Sequence, residues 1–87
     1  MEAYEVIYKP VITEAVYDLI ETQNKIVFEV SKKANKFHIK KAVEELYNVR
    51  VKKVNTLITP RGVKRAICTL TAEYNASDLA TDLNLFG

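Results

Sequence analysis

The chain has 87 residues, of which 48% are hydrophobic and 28% are charged, and its formal net charge is +2. This length predicts a single domain over residues 1–87, and the composition is that of a folded chain rather than a disordered one. No apolar run approaches the roughly 20 residues of a membrane-spanning helix, and residues 1–10 lack the pattern of a secretion signal. The single cysteine, Cys68, cannot form an internal disulfide, which favours a cytoplasmic location.

The charges are unevenly distributed along the chain. Residues 1–24 carry one lysine against five carboxylates, residues 25–65 carry twelve lysines and arginines against three glutamates, and residues 66–87 carry three carboxylates alone. A basic middle between two acidic ends is the asymmetry that an anionic partner requires of one surface.

The first elements follow from strand-forming residues and helix caps. The stretch YEVIY (4–8) predicts a strand that Pro10 ends, because proline has no N–H for the ladder. Thr13 is the predicted N-cap of a helix over about 13–22, whose apolar residues recur at helical spacing. The alternating stretch KIVFEV (25–30) predicts the second strand.

The second half of the chain predicts a helix, a hairpin and a last helix. The helix begins after Asn35 and ends near Asn48. A strand over 49–59 follows, and the slip in its alternation at Lys52 and Lys53 predicts a bulge or bend. The predicted turn is TPRG, the strand that follows it runs over about 64–74 with Ala66, Cys68, Leu70 and Ala72 on one face, and Asn75 or Ser77 caps the short C-terminal helix. The order β-α-β-α-β-β plus that helix is an α+β fold.

Catalysis finds little support among the residues. Cys68 alternates with apolar neighbours and is interpreted as a buried thiol, and His38 follows the predicted cap by three residues. Glu44 and Glu45 are adjacent on a helix and therefore cannot face each other as an acid–base pair. Gly-rich phosphate loops and metal-ligand spacings are absent from the sequence. We therefore expect no enzyme, no metal, no cofactor and no small-molecule substrate.

Two basic clusters favour a nucleic acid as the anionic partner. The first lies at the start of the second long helix, where a phosphate can meet both cations and free N–H groups. Its members are Lys32, Lys33, Lys36 and Lys40. A solvated basic face, with Lys40–Glu44 and Lys41–Glu45 as pairs four residues apart, is an equally good interpretation of charge alone.

The second cluster lies on the predicted hairpin. It comprises Lys52, Lys53, Arg61, Lys64 and Arg65, with the short polar side chains of Asn55 and Thr56 between them. Such side chains can contact phosphate, sugar or base edges, although a polar exposed strand face is the favoured interpretation of the two alone. The five tyrosines do not predict a single stacking platform.

The stretches VIYKPVITEA and VSKKANKFHIKKAVEELYNVRVKKVNTLITPRGVKRA together resemble the universal large-subunit ribosomal protein family twenty-three, in its archaeal and eukaryotic-type form. The resemblance covers essentially the whole chain. It implies a four-stranded antiparallel sheet with helices packed on it. It also implies a structural constituent of the large ribosomal subunit that binds rRNA beside the exit of the nascent-peptide tunnel, next to other ribosomal proteins, without membrane insertion.

The resemblance also implies which residues contact which partner. The rRNA-facing part includes Lys33, Lys36, Lys40, Asn55 and Thr56, and similarly Arg61, Lys64 and Arg65. With Lys9, Lys32, Lys52 and Lys53 these residues form the predicted RNA-binding set. Glu14, with Asp18 on the same helix, is expected to face the signal recognition particle and other nascent-chain factors. The alternative is a free-standing protein-interaction module that uses the acidic face of Glu14, Asp18 and Glu21.

Three features depart from the family pattern. Ala15 stands where the family usually has lysine, which removes any phosphate contact made from that position. His38 replaces the Glu or Gln that commonly completes a capping box, which predicts a weaker cap. The loop TPRG replaces the long loop of bacterial relatives, so the hairpin is not expected to line the tunnel interior.

Overall fold

Four helices and four strands make up the computed structural model, which describes residues 1–83. In chain order they are α1 (Ala3–Val6), β1 (Ile7–Pro10), α2 (Glu14–Gln23), β2 (Lys25–Val30), α3 (Lys36–Tyr47), β3 (Val51–Ile58), β4 (Lys64–Leu70) and α4 (Ala76–Asp82). The strands form one antiparallel sheet in the order β1-β2-β4-β3. The predicted α+β class and four-stranded antiparallel sheet are confirmed, with α1 added before the first strand.

Asparagine and threonine caps set the ends of the helices. The Thr13 hydroxyl accepts a hydrogen bond from the Val16 N–H at 3.2 Å, and Asn75 likewise caps α4. Asn24 and Asn48 end α2 and α3 in the left-handed conformation, each with φ of 54°, where asparagine is better tolerated than most residues. The predicted caps at Thr13 and Asn75 are confirmed. The predicted terminal helical segment extends to residues 84–87, which lie outside the described residues.

One face of the sheet is buried and the other is open. Residues directly opposite each other on antiparallel strands share a face, and the row of Ile26, Cys68 and Val54 is buried. Phe28 lies on this buried face and stacks on Tyr47 of α3, with ring centroids 5.2 Å apart. We call this the buried face. The opposite one is the open face, which carries Lys25, Val27, Glu29, Lys53, Asn55, Leu57, Arg65, Ile67 and Thr69, and of these Val27 is buried.

The predicted strand over 4–8 is wrong in its first half, because residues 3–6 form α1. The Glu5 carboxylate accepts a hydrogen bond from the Glu2 N–H at 3.2 Å, which stabilises the start of a helix. Ala3 and Val6, three residues apart, are both buried, and α1 packs against α3. Helical spacing of the buried pair therefore overrides the strand propensity of the aromatic and β-branched residues here.

The strands of the hairpin are shorter than predicted. β3 runs over Val51–Ile58 rather than 49–59, and β4 ends at Leu70 rather than at residue 74. Beyond Leu70 neither neighbouring strand offers β4 a pairing partner, because Leu70 pairs with the first residue of β3 and β2 starts opposite Thr69. The chain turns instead, with the Tyr74 N–H on the Thr71 carbonyl at 3.0 Å, and Ala72 is exposed rather than on the buried strand face.

Two local features of the hairpin agree with the sequence. The register shifts between Val51 and Lys53, which is the predicted bulge. The turn is closed by the Gly62 N–H on the Thr59 carbonyl and by the Thr59 N–H on the Val63 carbonyl, both at 2.8 Å. Gly62 has a φ of 83°, which side-chain-bearing residues rarely adopt. The tip of the hairpin is therefore short and closed.

Candidate nucleic-acid interface

The tip of the hairpin meets the loop before α3, which joins the two basic clusters. The Lys64 ammonium donates a hydrogen bond to the Ala34 carbonyl at 2.7 Å. A Cβ placed on Gly62 would lie 3.3 Å from the Lys32 ammonium, so this lysine rests beside the turn. Between them lies a groove of about 400 Å³, whose walls include Tyr8, Glu29, Lys32, Lys33, Gly62 and Lys64. We call it the junction groove.

The start of α3 is closed by a reciprocal pair of hydrogen bonds. The Asn35 side chain accepts from the His38 N–H at 2.8 Å, which confirms Asn35 as the cap. The His38 ring nitrogen Nδ1 accepts in turn from the Asn35 N–H at 3.4 Å. This histidine therefore completes the capping box, through a bond that is long for an N–H donor.

The lysines of α3 lie on two different sides of the helix. Lys36 and Lys40 are four residues apart and share one side, where Lys40 borders a cavity with Arg50 and Val51 at the start of β3. Lys41 borders another cavity, with Met1 and other residues near α1. Lys36, Lys40 and Lys41 are exposed.

The ion pairs of the solvated-face interpretation do not form within residues 1–83. The Glu44 carboxylate accepts a hydrogen bond from the Val51 N–H at 3.0 Å, and so supports the connection to β3. No salt bridge joins a lysine or arginine to a carboxylate in the part of the chain that the structure describes. The exposed lysines of α3 are therefore available to an external anion.

Asn55 and Thr56 project from opposite faces of β3. Asn55 pairs with Ile67 on the open face, whereas Thr56 pairs with Ala66 on the buried face. Both side chains are half-buried. Because β3 is an edge strand, a ligand that wraps around this edge can reach both, but one flat surface cannot.

The open face carries its own group of cations. Lys9 pairs with Glu29 across β1 and β2, and Arg65 pairs with Glu29 across β2 and β4. Nε of Arg65 is shielded from solvent and has no hydrogen-bond partner within residues 1–83. Arg61, Arg65 and Glu29 also border a shallow cavity of about 450 Å³ beside the turn. Glu29 thus lies between cations and offsets part of the positive charge of this face.

The predicted RNA-binding residues fall into two groups that meet at the hairpin tip. On the side of the junction groove and α3 are Lys32, Lys33, Lys36, Lys40, Thr56 and Lys64. On the side of the open face are Lys9, Lys53, Asn55, Arg61 and Arg65. Lys52 is the exposed extra residue of the bulge.

Sequence reasoning missed two residues near this surface. Tyr8 is 63% exposed and borders the junction groove. The register of β1 shifts between Ile7 and Lys9, so Tyr8 sits at a bulge that no local sequence signal marks. Lys25 lies on the open face, and its alternation with Val27 and Glu29 is the signal that could have placed it there.

The acidic residues of α2 form a separate exposed surface. Glu14, Asp18 and Glu21 are spaced by four and three residues, so they share one side of the helix, and all three are exposed. Glu14 directly follows the cap Thr13, at the positive end of the helix dipole, where a carboxylate is stabilising.

The described residues hold no constellation for catalysis. Cys68 is fully buried, which confirms its interpretation as a strand thiol, and burial raises its pKa from 9.0 to about 12. Within residues 1–83, no group of three His, Cys, Asp or Glu side chains could hold a metal ion. None of the described helices is long and apolar enough to cross a membrane.

Comparison with known proteins finds one family that matches most of the chain. The profile of the family described as Ribosomal protein L23 matches residues 5–77. A protein of Methanococcus aeolicus named large ribosomal subunit protein uL23 is 48% identical over 86 residues, which cover 99% of this chain and all of that protein. Its namesake from Methanococcus maripaludis strain C5 is 44% identical with the same coverage.

A eukaryotic relative extends the match. Large ribosomal subunit protein uL23 of Saccharomyces cerevisiae is 51% identical over 80 residues, which are 92% of this chain and 56% of the yeast protein. Relatives from archaea and yeast fit the predicted archaeal and eukaryotic-type form. The expectations of a structural, non-enzymatic protein of the cytoplasmic large ribosomal subunit are confirmed by this kinship. The chain belongs to the ribosomal protein L23 family.

Proposed function

We propose that this large-subunit ribosomal protein binds large-subunit rRNA through the surface on which its two basic clusters meet, beside neighbouring ribosomal proteins. The observation that carries the proposal is the contact between Lys64 and Ala34, which brings the hairpin and the start of α3 together. Lys32 and Lys33 of the first cluster and Lys64 of the second then border the same groove. An RNA backbone, with a charge on every phosphate, is the ligand that such a surface suits.

The proposed position is at the mouth of the nascent-peptide tunnel. The position beside the tunnel exit is what the family resemblance implies. The short hairpin supports a position at the mouth of the tunnel rather than in its interior. Its turn closes between Thr59 and Val63 through two hydrogen bonds of 2.8 Å, so it has no extension that could reach inward.

The acidic side of α2 is proposed to receive the signal recognition particle and other nascent-chain factors. Glu14 and Asp18 are exposed, and their charge is opposite to that of the proposed RNA surface. A protein bound to rRNA through its basic surface would keep a surface of the other sign free for a second partner.

Binding to a transcript of M. maripaludis large-subunit rRNA, measured by filter retention at several salt concentrations, tests the proposal. About five phosphate contacts predict a log–log slope near −4, because each contact releases counterions. Affinity should exceed that for a small-subunit transcript. A slope near zero, or equal affinity for the two transcripts, would contradict rRNA binding by this surface.

Matched variants of α3 locate the binding surface. The double variant Lys36→Glu and Lys40→Glu reverses two charges on the side of α3 that borders β3, and should abolish binding without unfolding the domain. Lys40→Glu and Lys41→Glu make the same change of charge at exposed lysines on different sides of the helix, and Lys41→Glu should weaken binding much less than Lys40→Glu. Equal losses would show a response to net charge rather than to one surface.

A further inference from the structure

We propose that the junction groove holds one unpaired nucleotide of RNA, with its base stacked on the ring of Tyr8 and its phosphate beside Lys32 and Lys33. The inference rests on the proposed rRNA binding, since it specifies which part of an RNA this surface takes. Its observations are separate: an exposed aromatic ring, a groove of defined size, and a mixed set of charges within that groove.

The volume of the junction groove suits a small ligand. This open groove between β1, the loop before α3 and the hairpin tip has a volume of about 400 Å³, within the range of roughly 300–1,000 Å³ typical of small-molecule pockets. Tyr8 is 63% exposed and lies at the bulge of β1, and bulges commonly redirect a side chain towards a site. Its ring therefore has a face to offer to a base.

The charges of the groove suit a nucleotide better than a simple anion. Lys32, Lys33 and Lys64 outnumber the single carboxylate of Glu29. Lys64 uses one of its three donors on Ala34. Glu29 would repel a bare phosphate or an acidic peptide, but it can accept hydrogen bonds from a base amino group or a ribose 2′-hydroxyl.

Gly62 leaves room for a cation at the rim of the groove. The Lys32 ammonium lies 3.3 Å from where a Cβ on this residue would stand, so a larger residue would require this flexible lysine to shift by a few tenths of an ångström. The left-handed φ of Gly62 also favours glycine at this position. Glycine therefore suits both the backbone conformation of the turn and the position of the Lys32 ammonium beside it.

The ligand is unpaired because a base within a helix is already stacked on its neighbours. Aromatic side chains of proteins stack on the exposed bases of loops, bulges and single strands. An acidic protein segment, attracted by the same lysines, lacks the flat base that Tyr8 would stack on. Such an acidic segment is the competing ligand, and polyglutamate represents it in the experiment.

The test compares the full chain with its Tyr8→Ala, Tyr8→Phe and Tyr4→Ala variants. Tyr4 is the matched control, because it is 72% exposed but lies on α1 and does not border the groove. Fluorescence anisotropy measures binding to a short oligoadenylate, to the same strand paired with its complement, and to a polyglutamate peptide of equal charge. Loss of one stacked base should weaken oligoadenylate binding by Tyr8→Ala about tenfold. Tyr8→Phe should stay within about twofold of the unaltered protein and Tyr4→Ala should match it.

Ultraviolet cross-linking of the unaltered protein supplies a readout that does not depend on the folding of any variant. Oligoadenylate should form an adduct at Tyr8 that mass spectrometry identifies. An adduct at Tyr4 but not at Tyr8, equal effects of Tyr8→Ala and Tyr4→Ala, or polyglutamate binding as tight as that of oligoadenylate would each overturn the nucleotide site. Salt-dependent preference for the large-subunit transcript is measured separately, so failure of the groove leaves the proposed function standing. If the protein showed no preference for the large-subunit transcript but Tyr8→Ala still weakened oligoadenylate binding, only the proposed function would be overturned.

Discussion

The ammonium of Lys64 lies 2.7 Å from the carbonyl oxygen of Ala34, thirty residues earlier in the chain. Ala34 is buried in the loop directly before α3, and Lys64 is the first residue of β4. This contact fixes the hairpin against the start of α3. Two basic segments that are far apart in sequence thereby become one surface.

Replacing Lys64 with methionine should separate the hairpin from that loop while keeping most of the aliphatic stem. We expect a loss of about 1–2 kcal/mol in the free energy of unfolding, as for a partly buried hydrogen bond from a charged donor. Lys25→Met is the matched control, since Lys25 is also a half-buried lysine at the first position of a strand, and should change stability by less than about 0.5 kcal/mol. Urea unfolding curves measure both, and equal losses would contradict a specific role for the contact.

Asn24 should contribute more to stability than Asn48, although both end a helix with φ of 54°. The Asn24 amide donates to the carbonyls of Leu70, Thr71 and Tyr74, and its side-chain oxygen accepts from the Ala76 N–H at 2.7 Å. Asn24→Gly keeps the left-handed backbone and removes these bonds, so we expect a loss of about 2 kcal/mol or more. Asn48→Gly, at an exposed C-cap, should stay within about 0.5 kcal/mol. Similar urea midpoints for the two variants would contradict this account.

These two contacts also mark the limit of prediction from sequence. The caps at Thr13, Asn35 and Asn75 were predictable, because a cap bonds to an N–H two or three residues further along. The bulge beside Lys52 was predictable from the phase of alternation. Asn24 and Lys64 bond to groups 30 to 52 residues away, and no local pattern encodes such partners.

The wrong predictions have the same origin. The end of β4 at Leu70 depends on where two other strands begin, which strand propensity does not reveal. α1 forms because Ala3 and Val6 are buried and α1 packs on α3, a tertiary effect that overrides local preference. For the candidate site, the charge pattern predicted the cations, and the alternation of a strand places Asn55 and Thr56 on opposite faces, but neither pattern shows that Tyr8 borders a groove.

Cys68 should make the protein less stable as the pH rises above about 9. Burial raises the pKa of its thiol from 9.0 to about 12 in the folded state, so between these values the unfolded chain has lost a proton that the folded chain keeps. Stability must then fall with pH, by at most about 1.4 kcal/mol per pH unit for one proton. Urea unfolding between pH 8 and 10.5 measures the slope, and Cys68→Ala should flatten it. An equally steep slope in that variant would assign the effect to other groups.

Glu14→Ala should weaken recruitment of nascent-chain factors to ribosomes while leaving rRNA affinity unchanged. The carboxylate is exposed beside the cap Thr13, which remains in the variant, so α2 is expected to stay folded. Glu73→Ala is the control, because this exposed glutamate lies in the turn after β4 rather than on α2. Co-sedimentation of the signal recognition particle with ribosomes measures the effect. Unchanged recruitment by Glu14→Ala, or equal loss in both variants, would refute docking at Glu14.

Directed hydroxyl-radical probing tests the central claim, that the joined basic surface faces rRNA, most directly. An iron chelate is tethered to a cysteine introduced at Lys33 or at Glu21, both exposed, while buried Cys68 with its raised thiol pKa stays unlabelled in the folded protein. The chelate at position 33 should cleave large-subunit rRNA strongly at discrete sites, and the chelate at position 21 should cleave it weakly or not at all. Equal cleavage from both positions, or stronger cleavage from position 21, would contradict the account.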